Sequence, residues 1–126
     1  MREFRVTLTH RAGELARLAE ALAAHGINLR SVAAIADGHK ALVCLVAEDV
    51  NDMRSALEGA RMQYEEDEVL TQLLEDEPGQ VAELASKLGA AGVNLRSLYV
   101  LAREKPLVEM GFTVDDPRKA KKALGG

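Results

Sequence analysis

The sequence predicts an α+β protein built from two copies of one β-α-β-β-α unit, and three observations predict it. The phrase GINLRS, Gly26 to Ser31, returns as GVNLRS, Gly92 to Ser97. Laid over each other at a shift of 66, the twenty residues from Gly13 and the twenty from Gly79 share eleven identities, the mark of a tandem duplication. Within each copy, a short run rich in residues that suit a pleated surface is followed by apolar residues recurring with the i, i+3, i+4, i+7 period of a helix.

The elements follow in order. FRVTLTH from Phe4, and VLTQLLED from Val69, are rich in residues that suit a pleated surface and make the first strand of each copy. The helix comes next, with Leu15, Leu18, Ala19 and Leu22 as its apolar stripe, matched by Val81, Leu84, Ala85 and Leu88. Gly26 and Gly92 end these helices, where a left-handed residue needs no Cβ. The repeated phrase opens a second strand. KALVCLV and PLVEMGFTV form the third, after turns at Asp37 to His39 and Glu104 to Pro106. Further on the copies align at a shift of 67, so the second carries one extra residue in this hairpin region.

Asp116 before Pro117 reads as the N-cap and first residue of a last short helix, and Asp49 stands in the equivalent place. The first copy continues into EGARMQYEEDEVL, which supplies a fourth strand over Arg61 to Glu66. The second stops at Gly125 and Gly126. The plan is therefore ferredoxin-like, two βαββαβ repeats with antiparallel sheets and helices on one face, the second repeat without its last strand. Residues 1–67 form repeat 1 and residues 68–126 repeat 2. The fourth strand is expected to pair with Phe4 to Thr9, because EEDE has no Gly, Asn or Pro for a tight turn back onto Val69 to Leu74. That leaves VLTQLL as an open edge. EEDE itself reads as a solvated linker, RKAKK as a solvated helix face, and Gln72, in the place of Val6, as exposed. SVAAIA, ALVCLV and SLYVLA are apolar on both faces, so a second layer, from the sister repeat or another subunit, is expected to cover them.

Composition narrows the function. With 48% hydrophobic and 29% charged residues, the chain is a folded, water-soluble type with an aliphatic core. A net charge of -4 speaks against a nucleic-acid partner, which would require a basic face. No apolar stretch approaches membrane-spanning or leader length, so no membrane partner and a cytoplasmic location are expected. Cys44 is single and His10, His25 and His39 are scattered, so no metal and no cofactor is expected. No nucleophile-base pair or phosphate loop is legible either, and the chain is not expected to be an enzyme.

A strand ending in a polar residue, a Pro-Gly turn, an amphipathic helix and then Gly-Ile/Val-Asn resembles the ACT domain, and LEDEPGQVAELASKLGAAGVNLRSL is similar to that pattern throughout. Two copies covering nearly the whole chain resemble the small stand-alone tandem ACT proteins. The resemblance implies a regulatory module binding a small molecule, most often an amino acid, between paired ACT domains, with a homodimer and a separate regulated enzyme as partners. It implies ligand contacts at the strand-to-helix turn and at the opening of the next strand. These are Asp76, Glu77, Pro78, Gly79, Gln80 and Asn94 in the second copy, and His10, Arg11, Ala12, Gly13, Glu14 and Asn28 in the first. The residue chemistry fits: N–H groups opening a helix attract a carboxylate, glycine allows close approach, Asn both donates and accepts, and Asp76 can pair with an ammonium group. Ala12 replaces the usual Pro and His10 the usual Asp or Asn, which ranks Asp76, Gly79 and Asn94 first. The alternative is a structural or protein-interaction module with the same fold and no ligand site, in which Asn28 and Asn94 only satisfy backbone where the chain turns.

Overall fold

Along the first strand Phe4, Val6 and Leu8 are buried and the residues between them face the other way, so one face of the sheet must be roofed. In the computed structural model, which describes residues 1–125, that roof is two helices. The elements run β1 (Arg2–Thr9), α1 (Glu14–Ala24), β2 (Ser31–Asp37), β3 (Lys40–Ala47), α2 (Val50–Gly59), β4 (Tyr64–Glu68), β5 (Leu70–Glu75), α3 (Gln80–Ala90), β6 (Leu95–Glu104), β7 (Leu107–Val114) and α4 (Pro117–Ala123). The chain divides into two compact units, Met1–Asp67 and Glu68–Gly126.

In the first unit the sheet order is β2-β3-β1-β4. β1 and β3 are antiparallel with Phe4 opposite Leu45, Val6 opposite Val43 and Leu8 opposite Ala41. These pairs meet Leu18 and Leu22 of α1 and Met53 and Leu57 of α2 in one aliphatic core, closed at the edge by Phe4 against Tyr64 with ring centroids 5.8 Å apart. In the second unit the order is β5-β7-β6. Leu70 and Phe112 pair across β5 and β7 and pack with Leu84, Leu88, Val93 and Ala120. The architecture is α+β with two antiparallel sheets, of four and three strands among the described residues.

The termini of the first helices are built alike. Gly13 and Gly79 sit before them at φ 89° and 90°, conformations that a side chain would strain. At the other end Ile27 N–H reaches Leu22 O at 3.1 Å and Val93 N–H reaches Leu88 O at 2.9 Å, with Gly26 and Gly92 left-handed between. Asp116 caps α4 by accepting from Lys119 N–H at 3.0 Å.

Several details depart from the sequence reading. The apolar stripe is narrower: Leu18, Leu22, Leu84 and Leu88 are buried, but Leu15 and Val81 are 50% and 48% exposed, and Ala19 and Ala85 are exposed as well. The fourth strand starts at Tyr64, not Arg61, because Arg61 at φ 58° and Met62, bonded to Leu57 O at 2.9 Å, are used to end α2. It lies beside β1, and β5 is an edge of the other sheet. EEDE is no solvated linker; it is the strand β4. Glu65 and Asp67 pair with Arg5 at 3.2 and 2.7 Å, Glu66 with Arg54 at 2.5 Å, and Glu68 with Lys121 at 2.6 Å. RKAKK, by contrast, is a solvated helix face as expected: Arg118, Lys119, Lys121 and Lys122 are exposed, and only Ala120 turns into the core. Gln72 is half-buried on the helix side, opposite Met110, because strand alternation places it with Leu70 and Leu74. β2 has no buried residue, and its Val32 and Ile35 are 56% and 68% exposed.

On the other face of the first sheet the carboxylate of Glu3 is wholly buried, 2.5 Å from Arg5. Burial works against the Arg5 charge, but Asp67, Glu3 and Glu65 outweigh it and raise the guanidinium pKa. Truncating Leu84 to Ala removes a side chain from the centre of the second core. It is expected to cost about 2–5 kcal/mol, measured by denaturant unfolding. A midpoint within error of the parent would show that the helix face is wrongly assigned.

Candidate functional site

The turn between β1 and α1 opens onto a cavity of about 430 Å³. His10, Arg11, Ala12, Gly13 and Glu14 all line it, so the five turn residues expected in the first copy are together. Its floor was not foreseen: Leu8 of β1, Ala34 and Ala36 of β2, and Ala41 and Val43 of β3, with Leu15 of α1 as one wall. The signal was present as the run of small residues in SVAAIA, which alone says nothing about which face they occupy.

At the mouth Glu14 accepts from Arg11 at 2.5 Å and from Arg17 at 3.3 Å. The Arg11 hydrogen bond, against a smaller opposing effect of burial, holds the Glu14 carboxyl below its ordinary range. Two guanidiniums thus face one carboxylate beside the positive end of α1, whose N-cap glycine has no side chain to cap it.

The second copy has the same backbone and different contents. Asp76 N–H donates to Pro106 O at 2.9 Å as His10 N–H donates to His39 O at 2.7 Å. Gly79 and Gln80 take the places of Gly13 and Glu14, and Glu77 and Pro78 those of Arg11 and Ala12. In β6, however, the ladder slips between Val100 and Ala102, so Leu101 is the extra residue and Arg103 pairs with Val108 as Ala36 pairs with Ala41. Arg103 consequently stands where the first copy has Ala36, and its guanidinium donates to the Asp76 carboxylate. Sequence reasoning missed Arg103 because a one-residue gap can be placed anywhere in the hairpin.

The two asparagines lie elsewhere. β1 and β2 both run antiparallel to β3, so Ser31 lies abreast of Glu3, across Val46, while the turn follows Thr9 at the far end. Asn28 and Asn94 therefore sit one helix length from the turns of their own copies, about 16 Å for the eleven residues of α1. Asn28 is exposed. Asn94 is engaged locally: its N–H and its Nδ2 each donate to Asp115 at 3.0 Å. In the equivalent place of the first copy Glu48 pairs with Arg30 at 3.2 Å instead. No single repeat brings its turn and its asparagine to one small molecule.

Burial first, and then the Glu3 carboxylate, push the Cys44 thiol pKa up. Among the described residues no group of three His, Cys, Asp or Glu side chains is placed to hold a metal ion, and no helix is long and apolar enough to cross a membrane.

No family model matches the sequence, and no curated protein does. Solved structures do match in fold. A protein from Bacteroides thetaiotaomicron superposes with a TM-score of 0.84 at 20% identity, over 98% of this chain and 85% of the other. The ligand-free regulatory subunit of aspartate kinase from Thermus thermophilus superposes at 0.68 with 14% identity, over 98% and 89%. That from Thermus flavus gives 0.68 and 15%, over 98% and 88%. At these identities the likeness is one of fold, and the fold is the tandem ACT fold.

The Asn94 side-chain amide, and then its N–H, hold the Asp115 carboxyl below its usual range. A depressed folded pKa contributes stability that is present above the unfolded carboxylate range and is lost as pH falls through the folded value. In Asn94→Ala, an NMR titration of the Asp115 carboxyl should show its pKa moving up toward the ordinary range. An unmoved titration would mean that Asn94 is not what holds it.

Proposed function

We propose that the chain is a non-enzymatic regulatory module that binds a small-molecule effector, an amino acid, at an interface between ACT domains and passes the signal to a separate polypeptide. The observation that carries this reading is the cavity under the His10 to Glu14 turn, with its apolar floor and charged rim. The fold supports it, being shared with proteins described as regulatory subunits of aspartate kinase.

The separation of turn and asparagine supports a site between copies. A ligand that touches a turn and an Asn28 or Asn94 would take them from two different chains of a homodimer. The exposed apolar residues of the edge strand β2 support association with another copy, and an isologous homodimer is the simplest closure. A ligand bound there would favour the paired geometry over others, and that differential affinity is what a regulated partner would sense.

The second reading, a structural or interaction module without a ligand site, is favoured by one observation. Asp76 and Asn94, the two residues ranked highest for binding, are engaged with Arg103 and Asp115.

Thermal-shift and isothermal titration with each of the twenty amino acids separates these readings. At least one should raise the melting temperature and titrate to saturation; silence from all twenty would favour the structural module. Light scattering should return the mass of a dimer, and a monomer mass at working concentration would remove the interface from the proposal.

A further inference from the structure

Resting on that effector reading, the geometry points to a narrower ligand class: we infer that the cavity of the first repeat takes an amino acid with an apolar side chain, its carboxylate at the Arg11 turn. The cavity has two unlike ends. Its polar members, Thr9, His10, Arg11 and Glu14, lie in the turn or at the element ends that flank it, whereas the side chains that β2 and β3 turn to this face, Ala34, Ala36, Ala41 and Val43, are all apolar. A charged or amide side chain lying along those strands would lose its water without gaining a partner. An apolar one gains what burial of its surface supplies.

The head group is set by the rim. Arg11 and Arg17 share the single carboxylate of Glu14 beside the N-terminus of α1, which leaves excess positive charge for an anion. The second repeat is a built-in contrast. Where the first has Ala34, Ala36 and Ala41, it has Val100, Arg103 and Val108, and Arg103 already holds Asp76. Where the first has Arg11, it has Glu77. Its turn is thus crowded, internally paired and acidic, and the ligand goes to the first repeat alone.

The test is isothermal titration of the full chain with L-leucine, L-valine and L-methionine against L-aspartate, L-lysine and L-serine. The apolar set should bind at least about tenfold more tightly, at one molecule per chain. Ala36→Arg, which copies the second repeat at an exposed position, should weaken leucine binding at least about tenfold with an unchanged melting temperature. Arg11→Glu, on the exposed rim, should weaken it similarly, and serves if Ala36→Arg fails to fold. Tightest binding by aspartate, lysine or serine would overturn the inference and leave the effector reading standing. Two leucines per chain, or leucine binding indifferent to a folded variant of either kind, would overturn the assignment to the first repeat. No binding by any amino acid would bring down both the inference and the effector reading.

Discussion

The face to which each strand residue turns governs everything else in these repeats. A strand sends successive side chains to opposite sides, so the pairs Phe4 with Leu45, Val6 with Val43 and Leu8 with Ala41 decide together which surface must be roofed by helices. α1 answers with Leu18 and Leu22, which are nearly inaccessible, and not with Leu15, which stands off at the N-terminal end. There the ladder ends in alanines. Ala34, Ala36 and Ala41 are too small to fill the wedge between sheet and helix, and the cavity is what remains. It follows from a helix that covers one end of its sheet and leaves the other to small residues.

The same constraint links changes in the second repeat that look unrelated along the sequence. An added residue in a strand would turn every later side chain to the other face unless a bulge absorbs it. Leu101 is that residue, and it shares a side with Tyr99 over Gly111. A Cβ on Gly111 would come within 2.8 Å of both side chains, so a larger residue at the position that is Cys44 in the first repeat would here force Leu101 or Tyr99 to shift. Past the bulge, Arg103 arrives at the place of Ala36 and meets Asp76. The extra leucine, the glycine and the ion pair form one coordinated departure.

What could be read from the sequence was what depends on near neighbours. The duplication, the strand and helix order, the glycines at the helix ends and the Asp116 cap rest on periods and short-range backbone requirements, which the residues display directly. What could not be read depends on register or on distant partners. Arg61 spends a left-handed conformation on ending α2, which no residue type announced, and the fourth strand starts late for that reason. EEDE looks like a linker until Arg5, some sixty residues earlier in the chain, is placed beside it. The turn residues of the candidate site were legible because they are contiguous. Its floor was not, since alanine in a strand is apolar on either face and only the ladder says which.

The two turns also differ in what they cost their own helices. Acidic groups stabilise a helix N-terminus and basic groups disfavour it. α3 is preceded by Asp76 and Glu77, which suit the positive end of its dipole. α1 is preceded by Arg11 and carries Arg17 in its first turns, with Glu14 as the compensating charge between them. The first turn is therefore the less favourable of two otherwise matched structures, lacking a further negative charge at the place where the cavity opens. A local choice that works against the element bearing it, offset inside the chain by the single carboxylate of Glu14, is where function is to be sought. A bound carboxylate would supply the missing charge, and α1 would then be stabilised by its ligand as α3 is by its own sequence.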